Sequence, residues 1–277
     1  PELLTYVSYS RGYKAGGFNL DRAPLPRSGA ASNGAILSTA TLNALKFAPE
    51  INDATEIGLK YNGRGVDVNV AVFNQLYDDF ELNLFNGIAF EVANVNGCKD
   101  DLTGSDTDNA IGTGTCSSGK LRRGVVSRGV EFEMFTRPMT DVTLNLGAIY
   151  ADTRYSKRLV AAGGAATSPQ LFQLPGRRIS NSSRWTLTGS TAFTPRIGNT
   201  GLRGLFYLDA RFMSEYNTGS DLDREKLQGE YLTLNGRVGV SGPDQLWSVE
   251  LWVQNLTGED YLQVAFDAPL QGSNTVR

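Results

Sequence analysis

Val66-Asp67-Val68-Asn69-Val70-Ala71-Val72-Phe73 puts a valine at every second position. Successive side chains of an extended strand point to opposite faces, so one face of this segment is uniformly apolar and the other is mixed. The parity continues through Leu76, Phe80, Leu82 and Leu84, opposite Gln75, Asp79, Glu81 and Asn83. The same period recurs along the chain. Thr55, Ile57, Leu59 and Tyr61 oppose Glu56, Gly58 and Lys60, and Val130, Phe132 and Met134 oppose Glu131 and Glu133. Leu232, Leu234, Val238 and Val240 oppose Thr233, Asn235, Arg237 and Ser241, while Trp247, Val249, Leu251 and Val253 oppose Ser248, Glu250, Trp252 and Gln254. Weaker versions cover 3–13, 142–152, 184–194 and 203–213. The expectation is nine strands, each long enough to cross a bilayer at a tilt with about 9–11 residues.

The connections alternate. Short ones, rich in turn-forming residues, fall at 62–65, 137–141, 195–201 and 241–245. Long ones fall at 12–52, 85–122, 153–178, 214–230 and from 257 onward, without helical periodicity. All long loops then lie at one end, as in an outer-membrane barrel with short periplasmic turns and long extracellular loops. The faces agree with this. One is Val, Leu, Ile, Phe or Trp; the other carries Glu56, Lys60, Asp67, Glu131, Glu133, Asp209, Arg211, Arg237 and Glu250. So many charges cannot all be paired in a dry core, so that face looks into water. Tyr13, Tyr77, Tyr150, Phe193, Phe212, Tyr231 and Trp247 lie near strand ends, where interfacial aromatic girdles are expected.

Composition narrows the function. The 277 residues carry 26 Lys and Arg against 29 Asp and Glu, net −3, with no basic excess for a nucleic acid. There is no histidine, which removes the commonest general base and zinc ligand; neither catalytic residues, nor a resident metal, nor a cofactor is expected. Gly114-Thr115-Cys116-Ser117-Ser118-Gly119-Lys120 has the spacing of a phosphate-binding loop. Leu121 follows where Ser or Thr is needed, however, with no feeding strand and no helix. Asp100, Asp101, Asp106 and Asp108 lack the spacing and bidentate Glu of a calcium loop and read as a solvated acidic loop. Arg122-Arg123 and Arg177-Arg178 read as charges flanking strand ends, the alternative being contact with lipopolysaccharide phosphates or an anionic ligand. No apolar run suits a membrane-spanning helix, and a chain beginning at Pro1 without a signal peptide reads as a single-domain piece, 1–277, incomplete at both ends.

Cys98 and Cys116 bracket a Gly-, Asp-, Thr- and Ser-rich segment. The pair points to a disulfide formed in an oxidising compartment, whose loop closure is worth roughly 3 kcal/mol; the alternative is two unpaired surface thiols.

Four stretches together resemble the barrel domain of TonB-dependent outer-membrane receptors. They are Tyr9-Ser10-Arg11-Gly12-Tyr13-Lys14 with Gly16-Gly17-Phe18-Asn19; Pro49-Glu50 with Glu56-Ile57-Gly58-Leu59-Lys60; Ser127-Arg128-Gly129-Val130-Glu131-Phe132-Glu133; and Val253-Gln254-Asn255-Leu256-Thr257 with Asp260-Tyr261. The resemblance implies an all-β, transmembrane, antiparallel up-and-down barrel of about 22 strands, of which this chain supplies about nine. It also implies TonB-energised uptake of a scarce ligand, usually a ferric siderophore, through a Gram-negative outer membrane. The family's plug, through which the TonB complex acts, and its final strand are not in this sequence. Partners implied are the ligand, the TonB complex, and outer-membrane lipid and lipopolysaccharide around a monomer. Loops 12–52 and 85–122 are the candidate ligand-contacting regions, and Glu56 and Glu131 are expected to have the structural job of pairing with each other across the wet wall. A passive porin of roughly 16–18 strands, or an adhesin or docking barrel, would share the same pattern.

Overall fold

The computed structural model describes residues 2–20, 45–85, 90–103 and 114–267. Nine antiparallel strands form one sheet in strict chain order: β1 (Glu2–Lys14), β2 (Glu50–Gly63), β3 (Val66–Asp78), β4 (Val125–Met139), β5 (Val142–Tyr155), β6 (Trp185–Phe193), β7 (Arg203–Met213), β8 (Tyr231–Ser241) and β9 (Ser248–Val253). All nine strands expected from the alternation are present. β1 and β9 are the sheet's edges and do not pair with each other, so the wall is not closed.

The short connections are tight because the chain has left-handed residues where they are needed. Gly65 (φ 77°) turns β2 into β3, and Asp141 (φ 66°), a residue type that tolerates this region, turns β4 into β5.

Register turns the sequence parity into two continuous surfaces. Val7, Ile57, Val72, Val130, Tyr150 and Trp185 are successive partners across β1–β6 and make one outward apolar row. Val7 is 76% exposed, Ile57 62% and Leu251 74%. A contiguous apolar surface over nine strands far exceeds what a water-facing protein displays, so its solvent is lipid. Two residues further along each strand the same face becomes polar in the row Tyr9, Thr55, Asn74, Arg128 and Asp152. The row beyond that carries Arg11, Asp53 and Arg154 at register positions joined by Leu76 and Val126. The hydrocarbon boundary at the long-loop end thus falls at the Tyr150–Trp185 pair, whose rings lie 4.9 Å apart. At the short-turn end Phe193 and Phe206 stack at 6.1 Å.

The opposite face is a polar wall. Tyr6 donates to Glu56 at 2.5 Å, Asn69 to Glu133 at 3.3 Å, Asn145 to Ser190 at 3.0 Å and Asn235 to Asp209 at 2.8 Å. Arg237 pairs with Glu250 at 3.4 Å. Glu56 is therefore held by the Tyr6 hydroxyl, not by Glu131. A Cβ at Gly58 would come within 2.3 Å of the Tyr6 ring, so the ring lies where only glycine leaves room.

Two expectations need correction. β3 stops at Asp78, and Asp79 (φ 50°) redirects the chain, so Phe80, Leu82 and Leu84 leave the lipid face for a buried core. Tyr77 and Tyr231 belong to the inner face, not the girdles. Tyr77 packs on that same core, and Tyr231 is buried and stacks on Tyr261 at 4.4 Å.

Candidate functional site: the loop layer at the long end

The long connections fold into a second layer instead of standing free. Strand 90–98 is its axis. It pairs with Phe80–Phe85, with Leu159–Ala161 and, at its far end, with Leu121–Arg122. Leu82, Leu84, Val95, Val125, Tyr155, Leu159, Leu171 and Leu174 form a buried cluster, against which Ile179 and Leu222 from other loops pack. Burying each such side chain contributes about 1.5–3 kcal/mol, which explains why segments without lipid contact hold a fixed shape.

The two candidate ligand loops are stitched together. The Asn19 side chain donates to Val92 O (3.0 Å) and accepts from Val92 N (2.7 Å), replacing a missing strand partner. Asn94 does the same with Ala48, accepting from its N at 2.7 Å and donating to its O at 2.9 Å, and also donates to Asp79 O. Asn96 receives Asp79 N and donates to its carboxylate at 2.6 Å, fixing the left-handed turn. Lys14 crosses to the buried Glu81 carboxylate at 2.9 Å, and Glu81 N donates to Glu50. The part of loop 12–52 at 21–44 and the parts of 85–122 at 86–89 and 104–113 lie outside the described residues.

Cys98 and Cys116 are bonded, with Cα atoms 5.9 Å apart, and pack with Val160, Leu102 and Leu121. Residues 118–120 form a single 3₁₀ turn, and Lys120 pairs with Asp100 at 3.3 Å, so the glycine–lysine spacing builds no phosphate-binding helix. Asp101 meets Arg158 at 2.5 Å; Asp106 and Asp108 lie outside the described residues. Arg123 spans Asp53 (3.5 Å) and Asp78 (3.8 Å), tying the rim of β2 to that of β3.

A cavity of about 580 Å³ opens on the inner side of this layer, with Phe80, Phe90, Tyr155 and Phe266 as its aromatic walls and Asn83 and Asn181 among its polar groups. Its size and its mixture of rings and amides suit a small ligand. The sequence reading did not single out this cavity, because its walls come from several loops.

A further cluster was also missed. Asp221, Asp223 and Asp267 converge, and the Lys226 ammonium fills the space between them at 2.5, 3.9 and 2.8 Å. Three carboxylates this close are spaced as for a metal ion, and here they hold a lysine. Burial works to raise the Asp221 carboxyl, but hydrogen bonds with Lys226, Asp267 and the Asp223 backbone outweigh it and the group sits below the ordinary carboxylate range. Asp223 moves upward, through burial and then the neighbouring Asp221 charge.

A lipid-facing antiparallel wall, a polar inner face and a folded loop layer at one end together define a barrel-type membrane protein. The family model described as TonB dependent receptor-like, beta-barrel, matches residues 1–256, and the chain belongs to that family, whose members are transporters and not enzymes. Solved structures agree in fold. The ferric yersiniabactin uptake receptor FyuA from Yersinia pestis superposes with a TM-score of 0.61 at 14% identity, covering 96% of this chain and 32% of FyuA. The siderophore receptor PiuA from Acinetobacter baumannii gives 0.59 at 14% identity, with 95% and 31% covered. BauA, the ferric preacinetobactin receptor of the same organism, gives 0.55 at 13%, with 94% and 30% covered. The chain thus spans about a third of the length of these structures. Among curated proteins no match is found.

Proposed function

We propose that this chain is the wall and long-loop portion of an outer-membrane receptor that imports a ferric siderophore, energised by TonB. Family membership over residues 1–256 carries the reading. The siderophore receptors among its structural neighbours support the ligand class. In this reading the long loops are extracellular, further strands close the wall between the open edges of β1 and β9, and a plug fills the lumen. Lipid would not tolerate the unpaired edge amides otherwise. The receptor acts as a monomer embedded in outer-membrane lipid and lipopolysaccharide.

Loops 12–52 and 85–122, joined through Asn19 and Asn94, present the capture surface. The Cys98–Cys116 bond holds the second loop in its bound shape, which lowers the ordering cost of capture. Replacing both cysteines with Ser should weaken ferric-siderophore binding by about tenfold, from loss of part of the roughly 3 kcal/mol of loop closure, while membrane insertion continues. Unchanged affinity in a binding titration would remove this role.

The test of the function uses cells producing the full-length protein and supplied with radiolabelled iron as catecholate, hydroxamate and citrate complexes. Saturable accumulation of one complex that stops when the inner membrane is de-energised is the expected result. Accumulation that persists in de-energised cells would make the barrel a passive pore, and binding without accumulation would make it a docking protein.

A further inference from the structure

The cavity of about 580 Å³ has a free strand edge for one wall. Strand Phe80–Phe85 pairs with 90–98 on one side and ends its three-strand sheet on the other. Phe80 and Leu82 of one face and Glu81 and Asn83 of the opposite face all line the cavity, so the space runs along that free edge. Val92, the register partner of Asn83, gives both its N–H and its C=O to the Asn19 side chain. Directly opposed residues of an antiparallel pair either bond each other with both groups or turn both away. The Asn83 N–H and C=O therefore point out of the pair, toward the free edge. Glu81, two residues back, has the same orientation, and its N–H reaches Glu50 at 2.9 Å. Such an edge presents donors and acceptors that complement a chain of amides.

The charge around the cavity has one sign. Among the described residues that line it, Glu81 alone is charged. Its side chain is 2% exposed, and Oε2 meets Lys14 at 2.9 Å, whereas Oε1 is buried without a hydrogen-bond partner among the described residues. A buried carboxylate oxygen without a donor is costly, and an N–H from a ligand satisfies it. Lys14 balances one of Glu50 and Glu81 and leaves the other charge over. On the far wall, Ser220 and Phe266 are next in the chain to Asp221 and Asp267, whose cluster sets three carboxylates against the single Lys226 ammonium. Arg178, next in the chain to Ile179, is taken by Glu215 at 3.2 Å. Phe80 with Tyr155 and Phe90 with Phe266 meet edge to face, each pair 6.0 Å apart, and supply the ring faces on which a cation also rests.

We infer that this cavity takes the organic arm of the ligand, a chain of amide or hydroxamate groups ending in an ammonium, and so selects cationic ferric hydroxamates over anionic catecholate and citrate chelates. The inference rests on the uptake reading and narrows its ligand class. The amides extend the strand edge at Asn83, and the ammonium meets the unpaired Glu81 oxygen. A ferric tris-catecholate is strongly anionic and finds no cation here to receive it.

The test titrates full-length receptor, purified in detergent, by quenching of its tryptophan fluorescence. The probes are ferrioxamine B, a linear ferric trihydroxamate with amides in its chain and a free terminal ammonium; the same chelate acetylated at that amine; and a ferric tris-catecholate. Ferrioxamine B should bind at least tenfold more tightly than its acetylated form, and the tris-catecholate more weakly than either. An E81Q variant should lose the preference for the free ammonium. Equal binding of the two hydroxamates by the unaltered protein overturns the inference without any variant, as does tightest binding of the tris-catecholate. Retention of the preference by E81Q would show that this carboxylate is not its origin and overturn the assignment. Energy-dependent accumulation of the tris-catecholate in cells, together with its tight binding, would leave the uptake reading standing and overturn only the selection. Accumulation of no ferric complex would overturn both.

Discussion

Replacing Lys226 with Met should release the 214–230 loop from the segment that carries Asp267. Lys226 is 8% exposed, and its ammonium is the counter-charge for three carboxylates whose oxygens lie within 4.8 Å of one another. Taking one partner from a buried ionic cluster leaves uncompensated charge, at a cost of about 3–5 kcal/mol. That corresponds to at least a hundredfold faster local opening, read by hydrogen exchange at amides the cluster fixes, such as Thr218, whose N donates to Lys226 O at 2.9 Å. Wall-strand amides should keep their protection. Unchanged exchange at Thr218 would show that backbone hydrogen bonds alone hold the loop.

The same cluster sets a pH window. For Lys226, burial opposes the charged form, but hydrogen bonds with Asp221 and Asp267 outweigh it and the pKa rises above 10.5. Its stabilisation is therefore full at lower pH and is lost as pH climbs through that raised value. Asp221 is depressed below 3.8, so its contribution is present above 3.8 and disappears as pH falls through the lower folded value. Asp223, being raised, works the other way and relieves some repulsion on mild acidification. Loop protection should stay high across neutral pH and fail in strong acid and in strong base.

The second large effect concerns the wall. Val70→Lys places a cation on the lipid face of β3, between Val68 and Val72 and near the middle of the apolar band. The cost at the bilayer midplane is about 2–4 kcal/mol. Asn69→Lys, one residue away on the face where Asn69 already donates to Glu133, should cost close to nothing. Folding yield into lipid vesicles over a urea series distinguishes the two. Equal losses would mean that both faces of β3 meet the same solvent.

This contrast also marks how far the sequence could be read. The wall was legible because burial in lipid on one side and contact with water on the other imposes a period of two, which Val66–Phe73 and Val130–Met134 carry without interruption. The loop layer was not. The apolar parity that begins at Val66 resumes after Asn74 and Asp78 at Phe80, Leu82 and Leu84, and the departure from the wall at Asp79 is a single left-handed residue that any Asp in a turn could supply. Leu82 and Leu84 keep the parity of lipid-facing residues while packing against Val95 and Leu159, a contact their alternation cannot announce. The joints of the layer join residues far apart in the chain: Asn19 to Val92, Asn94 to Ala48, Lys226 to Asp267. Each uses an ordinary polar residue in a loop, and only the fold makes them partners. The cysteine pair was readable because its composition and isolation leave few other uses for two thiols. The aromatic girdle was half legible: Tyr150 and Phe193 face out as expected, whereas Tyr77 and Tyr231 follow the inner parity of their own strands.

The central claim is that residues of opposite parity in one strand meet different solvents. Nitroxide labels placed singly at positions 66 to 78 of the full-length receptor in lipid vesicles test it most directly. Collisions with oxygen, which concentrates in lipid, should peak at Val68, Val70 and Val72. Collisions with a water-soluble nickel complex should peak at Asp67, Asn69 and Ala71, half a period out of phase. Accessibility to both reagents rising and falling together along β3, or no period of two at all, would contradict the account.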